Sequence, residues 1–423
     1  MSSPTAVVLV TGSELVRGGR VDENGPFLSR ELSTRGIEPS RVVVVGDRPQ
    51  ELGQAFREAL EADLVVTSGG LGPTHDDRTV ETLATVAGRE LAVDPALELE
   101  IGEVVRALSV RFRRPYEELE PGVRKQATIP EGAHSLGLAG TAPGLVLEVG
   151  ETVVVVLPGP PGELQRLWGR ALETEAVQRV FDAARSPDHR MLRFFGLPES
   201  AVARVVEQAG GEGEGVDVTI CAHDLEVQVD LVVSPGAEAH ADRLEDALRE
   251  TLPQALFADD ERPIEAIVLD LARQDRLTLA AAESCTGGIV AARLTSVPGS
   301  SDVFVGGMVA YDNRIKRDLL GVPGEILERH GAVSAEAAAA MANGARNALG
   351  TDAAVAVTGV AGPGGGTPDK PVGRVYLHAA GPRGEQAVEL HLPGDRDAVR
   401  RRAAASALHL VRRLLAQSRH TQG

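Results

Sequence analysis

Residues 63–77 read DLVVTSGGLGPTHDD, a short apolar run that leads into a glycine-rich turn and then into acidic residues. The chain before this stretch is regular, because strand-like runs at Ala6–Val10 and Arg41–Val45 alternate with helical spacing at Gly25–Arg35 and Glu51–Leu60. Strands that alternate with helices form βαβ units, in which neighbouring strands are parallel. The N-terminal part of the chain is therefore predicted to be an α/β domain with a mostly parallel sheet.

The pattern changes twice further along the chain. Two alternating runs, Val216–Ala222 and Leu225–Val233, precede the amphipathic segment Glu238–Leu252, which is typical of a small α+β unit. Strand-like and helix-like segments then alternate again, up to a closing helix predicted over Asp395–Ala416. The predicted fold class is α/β, and the predicted domains are residues 1–172, 173–258 and 259–423.

Two local signals add detail to this prediction. Leu145–Val149 and Thr152–Leu157, which are separated by Gly150, resemble a hairpin near the edge of the first sheet. Ser334 is a good N-cap for a helix predicted over Ser334–Leu349, since its hydroxyl can accept from a free backbone N–H of the first turn.

The composition limits the possible functions. Of the 423 residues, 43% are hydrophobic and 25% are charged, which is ordinary for a soluble globular protein, and the net charge is -18. Such a field repels phosphate backbones, so general nucleic-acid binding is not expected. No apolar stretch is long enough to cross a bilayer, so no membrane partner is expected. The two cysteines, Cys221 and Cys285, form no disulfide framework, which favours the cytoplasm.

A first candidate site lies in the turn that follows the apolar run quoted above. Gly69, Gly70 and Gly72 allow the backbone to approach a phosphate, and the following helix offers free N–H groups to an anion. Asp76 and Asp77 add hard oxygen ligands for a divalent metal such as Mg²⁺. The structural alternative is that the glycines form a tight turn and one aspartate caps the helix.

Two other polar, glycine-rich loops follow strands of the same domain. One begins with Gly12–Leu15 and continues to Asp22 and Asn24, and the other is Leu157–Glu163. Open α/β sheets bind ligands at the carboxyl ends of their strands. The three loops could therefore converge on one site.

The second candidate site lies in residues 277–288, LTLAAAESCTGG, where a strand again leads into a helix. Ser284 would lie near the helix N-terminus, whose N–H groups can stabilise an oxyanion. A serine nucleophile needs a base, but no histidine is close in sequence and no Gly-x-Ser-x-Gly elbow occurs. Lys316 is the candidate base. It follows shortly after Tyr311, the last residue of a strand predicted over Phe304–Tyr311. Partial desolvation there would lower the pKa of the lysine, so that its neutral amine could take the serine proton.

Each of these residues has a structural alternative. Ser284 is equally well placed to act as a simple helix N-cap. Lys316 fits a solvated surface face. Cys285 is a further candidate nucleophile, but a cysteine at an apolar strand–helix junction is more often buried and inert, so Ser284 ranks above it.

A third glycine-rich segment follows the strand predicted over Ala353–Thr358. Residues 358–367 read TGVAGPGGGT, a density of glycine that would let the backbone wrap a phosphate or a ribose. The alternative is a flexible hairpin loop. Arg396, at the start of the closing helix, either meets a phosphate or is an ordinary surface residue.

Taken together, these motifs resemble the competence/damage-inducible protein A (CinA) family over nearly the whole chain. The N-terminal part resembles the molybdopterin-binding fold, the C-terminal part is similar to nicotinamide mononucleotide (NMN) deamidases, and the middle unit resembles the family's KH-like domain. The motifs that carry the resemblance are residues 12–14, 22–24, 69–77 and 157–161 in the N-terminal part and residues 282–288, 358–363 and 370–373 in the C-terminal part.

The resemblance implies that the C-terminal domain converts NMN and water to nicotinic acid mononucleotide and ammonia. Ser284 would be the nucleophile, Lys316 its base and Tyr311 an orienting group, with an oxyanion hole of backbone N–H groups around residues 285–287. The implied substrate-binding residues are Cys285, Thr286, Gly287, Gly288, Thr358, Gly362, Gly364, Gly365 and Arg396.

The resemblance also implies that the N-terminal domain hydrolyses the pyrophosphate of ADP-ribose with a divalent metal held by Asp76 and Asp77, and that the protein is a homodimer. The implied residues of this site are Glu14, Asn24, Gly69, Gly70, Gly72, Thr74, Asp76 and Asp77. RNA binding by the KH-like unit is not expected, because its loop Gly210–Gly215 carries two glutamates. The alternatives are a molybdopterin- or nucleotide-binding protein without catalysis, or a competence-related adaptor.

Overall fold

The computed structural model describes residues 4–184 and 188–416. The chain forms two compact units, Met1–Pro187 and Asp188–Gly423, which are described in turn. None of the helices in the described ranges is both long enough and apolar enough to span a membrane.

The first unit is a six-stranded sheet with helices on both faces. Its strands are β1 (Ala6–Thr11), β2 (Pro39–Val45), β3 (Leu64–Ser68), β4 (Leu91–Val93), β5 (Thr128–Pro130), β6 (His134–Leu138), β7 (Pro143–Val149) and β8 (Thr152–Leu157). Its helices are α1 (Ser13–Val16), α2 (Asn24–Ser33), α3 (Pro49–Ala59), α4 (Thr79–Ala87), α5 (Pro95–Phe112), α6 (Glu120–Gln126), α7 (Pro161–Leu172) and α8 (Glu175–Ala183). The sheet order is β2-β1-β3-β8-β7-β6, and β4 pairs with β5 separately.

The central strands of this sheet are covered on both faces. Every residue of β1, β3 and β8 is buried, and these strands are rich in valine, whose β-branched side chain favours a strand. Strands β2, β1, β3 and β8 run parallel, whereas β7 is antiparallel to both of its neighbours, β8 and β6. The predictions of a mostly parallel sheet and of a hairpin near its edge, which is β7–β8, are confirmed.

Alternate residues of β1 enter two separate hydrophobic layers, as the pleat of a strand requires. Val7 and Leu9 join Phe56 on one face, while Val8 and Val10 join Trp168 on the other. Because both faces are covered, the carboxyl ends of β1, β3 and β8 form the accessible edge from which the loops of the first candidate site start.

The second unit contains two sheets. Its strands are β9 (Asp188–Phe195), β10 (Val216–His223), β11 (Glu226–Val233), β12 (Leu256–Ala258), β13 (Leu279–Glu283), β14 (Phe304–Val309), β15 (Ala353–Gly359), β16 (Arg374–Gly381) and β17 (Gly384–His391). Its helices are α9 (Glu199–Gln208), α10 (Glu238–Thr251), α11 (Ile264–Gln274), α12 (Ile289–Thr295), α13 (Asn313–Asp318), α14 (Gly324–Arg329), α15 (Ala335–Leu349) and α16 (Arg396–Ala416).

The smaller sheet has the order β10-β11-β9-β12 and is antiparallel throughout. Val227 and Val229 of β11 face a core that includes Val202 of α9 and Leu244 of α10. The two alternating runs and the following helix that the sequence predicts are confirmed in this α+β element order. The division of the chain into domains 1–172, 173–258 and 259–423 stays a prediction.

The larger sheet has the order β14-β13-β15-β16-β17, in which the first three strands are parallel and β16 is antiparallel to both of its neighbours, β15 and β17. Helices α11 and α16 cover one face, and α15 covers the other. The hydroxyl of Ser334 accepts from the backbone N–H of Ala337 at 3.1 Å, so the predicted N-cap of α15 is confirmed. The strand predicted to reach Tyr311 ends at Val309, where the chain turns away toward α13.

Candidate active site

Ser284 follows directly after β13, the second strand of the larger sheet. Its backbone N–H donates to the carbonyl of Val357 in the neighbouring β15 at 2.9 Å, which continues the ladder by one residue and fixes the start of the turn. The side chain is buried, with 8% of the residue exposed. Ser284 therefore stands on a rigid strand end at the carboxyl edge of the parallel strands.

Lys316, in the short helix α13, reaches the hydroxyl of Ser284. Its Nζ donates to Ser284 Oγ at 3.0 Å, to the carbonyl of Ala310 at 2.7 Å and to the carbonyl of Tyr311 at 3.2 Å. Asp312 caps α13 by accepting from the N–H of Arg314 at 2.8 Å. Only 1% of Lys316 is exposed, so the alternative of a lysine on a solvated surface is wrong.

Burial acts in opposite ways on the two titratable groups beside Ser284. It lowers the pKa of Lys316, because desolvation disfavours the ammonium form. It raises the pKa of the Cys285 thiol to about 12, because desolvation disfavours the thiolate. The buried cysteine thus stays a thiol at neutral pH, in line with its lower rank as a nucleophile, whereas the lysine gains a larger fraction of neutral amine.

At the N-terminus of helix α12, the carboxylate of Glu283 accepts from most of the backbone N–H groups that an oxyanion could otherwise use. Glu283 accepts from the N–H groups of Gly288 at 2.9 Å, Val290 at 3.1 Å and Ala291 at 2.8 Å. This contradicts the expectation that the helix N-terminus itself is open to an oxyanion, and the reason is that the residue before Ser284 is an acidic cap.

In the turn between Ser284 and α12, two backbone N–H groups face the thiol of Cys285, which is only a weak acceptor. The N–H of Gly287 donates to the carbonyl of Ser284 at 3.2 Å. The N–H groups of Cys285 and Thr286 donate to no oxygen within residues 4–184 and 188–416. Of the residues 285–287 implied as an oxyanion hole, Cys285 and Thr286 therefore have the available N–H groups.

Arg396 connects two other predicted residues at the mouth of this site. Its guanidinium donates to the carbonyl of Gly362 at 2.6 Å and to the hydroxyl of Tyr311 at 3.0 Å. The side chain of Tyr311 is exposed, so its contact with Lys316 is through its backbone carbonyl only. The arginine is itself exposed, which leaves guanidinium N–H groups accessible to a ligand.

The segment that contains Gly364 and Gly365 connects the antiparallel strands β15 and β16, as the hairpin-loop alternative predicts. Both glycines are exposed. Thr358 is buried and donates through its hydroxyl to the carbonyl of Ala332 at 2.6 Å, so this hydroxyl serves the fold. Gly362 is the residue of the segment that Arg396 contacts.

Two residues around Ser284 were not identified from the sequence. Glu283 is the acidic cap described above. Arg400 donates to the carbonyl of Thr286 at 2.9 Å and so fixes the turn after Ser284. Its position was detectable in principle, because Arg400 lies one helical turn after Arg396 on the same face of α16.

The first candidate site is a cleft of about 550 Å³ in the first unit, at the carboxyl ends of β1, β3 and β8. The predicted residues that line it are Glu14, Asn24, Gly69, Gly70, Gly72, Asp76 and Asp77. Thr74 contributes indirectly, because its hydroxyl contacts the carboxylates of both Asp76 and Asp77. Asn24 connects two loops of the cleft by donating to Ser68 Oγ at 2.9 Å and to the carbonyl of Gly159 at 2.7 Å.

The glycines of this cleft also meet a structural need. Gly69 has a φ of 102°, and a Cβ there would lie 2.5 Å from the carbonyl oxygen of Thr11. Gly70 has a φ of 67°, and a Cβ there would overlap the hydroxyl of Thr79. The close approach of the turn to β1 and α4 is therefore enough to require glycine at both positions.

The acidic residues of the cleft offer few metal ligands. No group of three or more His, Cys, Asp or Glu side chains suited to a metal ion occurs among the residues that the structure describes. The hydrogen bond from Thr74 lowers the pKa of Asp76, which keeps this carboxylate charged. Two carboxylates fit Mg²⁺ only when water and substrate phosphate complete its shell, which is how Mg²⁺ is commonly held.

Two family models match the chain. Residues 7–176 match a probable molybdopterin binding domain, and residues 261–415 match the CinA C-terminal domain. A solved structure, the competence/damage inducible protein CihA from Agrobacterium tumefaciens, is 40% identical, covers 37% of this chain and 98% of its own, and has a TM-score of 0.35.

Full-length relatives are also similar. A CinA-like protein of Mycolicibacterium paratuberculosis is 42% identical over 98% of this chain and 99% of its own length. A CinA-like protein of Mycolicibacterium gilvum is 43% identical over the same shares. Identity of this extent over nearly the whole of both chains shows that this chain belongs to the CinA family.

Proposed function

We propose that the second unit is an amidohydrolase that converts NMN and water to nicotinic acid mononucleotide and ammonia. The observation that carries this proposal is the 3.0 Å hydrogen bond between the buried Lys316 Nζ and Ser284 Oγ. A serine hydroxyl beside a lysine of lowered pKa is the arrangement that activates a nucleophile without a histidine.

The contacts of Lys316 suit the neutral amine. Two N–H groups would remain on the carbonyls of Ala310 and Tyr311, and the lone pair would then accept the proton of the Ser284 hydroxyl. In the first step Ser284 Oγ bonds to the carboxamide carbon while its proton moves to Lys316 Nζ. The negative charge on the amide oxygen would be met by the N–H groups of Cys285 and Thr286, which donate to no oxygen within the described residues.

The second half of the reaction uses the proton that Lys316 has taken. As the tetrahedral intermediate collapses, the C–N bond breaks and Lys316 returns the proton to the leaving nitrogen, which departs as ammonia. Water then attacks the acyl ester on Ser284, with Lys316 again as the base, and the carboxylic acid product is released. The lysine ends each cycle in its starting protonation state.

The nucleotide part of the substrate would lie toward Arg396. Its accessible guanidinium suits the phosphate of NMN, and the exposed Gly364 and Gly365 allow the backbone to lie close to the ribose. Because Arg396 also contacts Gly362 and Tyr311, phosphate binding would be transmitted to both segments beside Ser284.

The test is ammonia release from NMN by the purified protein and three variants. Ser284→Ala and Lys316→Ala should each lose activity by roughly 10² to 10⁴ in kcat. Cys285→Ala is the matched control, which should retain most of the activity because its thiol stays protonated. Absence of ammonia release by folded parent protein would overturn the proposal.

We propose in addition that the first unit hydrolyses the pyrophosphate of ADP-ribose. The support is the cleft at the strand ends, which joins backbone of the glycine turn to the carboxylates of Asp76 and Asp77. These two carboxylates would hold a divalent metal such as Mg²⁺, whose charge would offset that of the diphosphate. Release of AMP from ADP-ribose tests this activity, whereas binding without release would favour the alternative of a molybdopterin- or nucleotide-binding protein.

The setting that we propose is a cytoplasmic homodimer that acts on small nucleotides and not on general nucleic acids. The net charge of -18 supports small nucleotides over nucleic acids, the two unpaired cysteines support the cytoplasm, and the homodimer rests on the family resemblance alone. A competence-related adaptor without catalysis is the alternative, and both activity assays bear on it.

A further inference from the structure

A second cleft of the C-terminal unit lies between the smaller sheet and the helices of the larger one. Its volume is about 520 Å³. Strands β9, β10 and β11 form one wall, and helices α12 and α16 form the other. Three arginines line the cleft, Arg193, Arg293 and Arg401, together with Cys221, Ile289 and Ala405.

The sheet turns a polar face toward this cleft. Val227 and Val229 of β11 point to the core, so the intervening Gln228 and the preceding Glu226 lie on the opposite face, where Cys221 pairs with Gln228 across the strands. Such a face of an antiparallel sheet usually meets water. Here Glu226 instead accepts from Nε2 of the buried His409 of α16 at 3.0 Å, which brings the helix over the sheet.

Three arginines converge on the cleft, each with one carboxylate partner. Arg193 donates to Glu226 at 2.7 Å, Arg293 donates to Glu265 at 2.8 Å, and Arg401 donates through Nε to Asp224 at 3.1 Å.

These carboxylates leave hydrogen-bond donors unused. A guanidinium has five N–H groups. Within the described ranges, both terminal nitrogens of Arg401 make no hydrogen bond, and this side chain is half exposed. The cleft therefore has an excess of charged donors in a protein whose net charge is -18.

We infer that this cleft binds a phosphorylated small molecule. A phosphate accepts hydrogen bonds without donating back and matches the planar fork of a guanidinium. Ile289 and Ala405 provide an apolar surface for the rest of the ligand. A volume of about 520 Å³ lies within the range of small-molecule sites.

Cys221 makes the inference directly testable, because it is exposed and lines the cleft, whereas the other cysteine, Cys285, is buried with its pKa raised to about 12. Iodoacetamide should therefore alkylate Cys221 selectively. The rate of Cys221 alkylation is measured by mass spectrometry in buffer that contains a chelator. Inorganic pyrophosphate and AMP are the two test ligands, and potassium chloride at the same ionic strength is the control. We expect saturable, several-fold slowing by AMP, since a bound ligand covers the thiol.

Two variants test whether the protection of Cys221 arises from binding in this cleft. Arg401→Gln should abolish the protection, because Arg401 supplies the unpartnered nitrogens. Arg48→Gln is the control, since it alters an exposed arginine that pairs with Glu51 in the first unit, and it should leave the protection unchanged. Protection by pyrophosphate as well means that the phosphate groups suffice, and protection by AMP alone means that the ligand must be an organic phosphate. No protection by either, or undiminished protection in Arg401→Gln, overturns the inference. The readout needs no catalysis, so it is independent of the proposed function.

Discussion

Lys316 makes a prediction about pH, because burial lowers its pKa below the ordinary lysine range. The base must be the neutral amine, so kcat/KM for NMN should rise with pH as Lys316 loses its proton and level off above its lowered pKa. Lys316→Arg should lose this limb and fall by roughly 10² to 10⁴ in kcat, since a guanidinium stays protonated. A pH–rate profile with a midpoint at or above the ordinary lysine pKa would contradict the assignment.

For single residues, the sequence predicts which side chains belong to the site at Ser284 better than it predicts their burial and contacts. Ser284 and Lys316 can be picked from their positions after strands, but the burial of Lys316 results from the strand-end backbone that folds over it. The capping role of Glu283 depends on which way one side chain turns after β13. Burial and side-chain direction are set by tertiary packing, so the sequence alone does not exclude a solvated surface position for Lys316.

The N-terminus of helix α12 is capped by the carboxylate of Glu283, so the stability of this helix should depend on that side chain. Glu283→Ala would leave the N–H groups of Gly288, Val290 and Ala291 without their acceptor, so the second unit should lose about 2–3 kcal/mol. Glu283→Gln keeps one acceptor oxygen and should lose about half as much. The measurement is urea unfolding followed by circular dichroism.

The control for this prediction is built into the chain. Its single tryptophan, Trp168, is buried in the first unit, so tryptophan fluorescence reports that unit. The fluorescence transition should keep its midpoint in both Glu283 variants. An unchanged circular dichroism transition in Glu283→Ala would mean that the carboxylate does not hold α12.

Two helical glycines should respond to alanine with opposite signs. Alanine normally stabilises a helix interior by about 1 kcal/mol relative to glycine. At Gly169 in α7 a Cβ meets nothing within 4 Å, so Gly169→Ala should gain this amount of stability. At Gly344 in α15 a Cβ would overlap the carbonyl oxygen of Leu320 and lie 2.8 Å from its carbonyl carbon, so Gly344→Ala should cost about 3 kcal/mol. Thermal unfolding by circular dichroism measures both, and a stabilised Gly344→Ala would show that the segment at Leu320 can move aside.

The elements that the sequence predicts well are those with a strong period. Helix α15 follows its predicted cap Ser334 and ends at the predicted Leu349, whereas α5, the 18-residue helix Pro95–Phe112, was not predicted. Its signals were present, since Asp94 caps it and Leu97, Ile101 and Val105 form a buried stripe. The helical period is weak nonetheless, because Leu99, Val110 and Phe112 are apolar and lie on the exposed face of the same helix.

For the whole molecule, the important feature is that each candidate site is built within one compact unit. The cleft with Asp76 and Asp77 belongs to the first unit, while Ser284, Lys316 and Arg396 all belong to the second. Neither set of side chains needs a residue from the other unit for the contacts described above. The two proposed activities should therefore respond to mutation separately.

This separation is tested with two variants and two assays on the full chain. Ser284→Ala should abolish ammonia release from NMN and leave AMP release from ADP-ribose within about twofold of the parent, because mutations at sites that share no partner side chains do not usually couple. Asp77→Asn should do the reverse, since it removes one of two charged ligands from the cleft. A chelator should stop AMP release and spare ammonia release, because the proposed chemistry at Ser284 needs no metal. If one variant lost both activities while its circular dichroism and Trp168 fluorescence matched the parent, the two sites would have to be coupled, and the assignment of one reaction to each unit would be wrong.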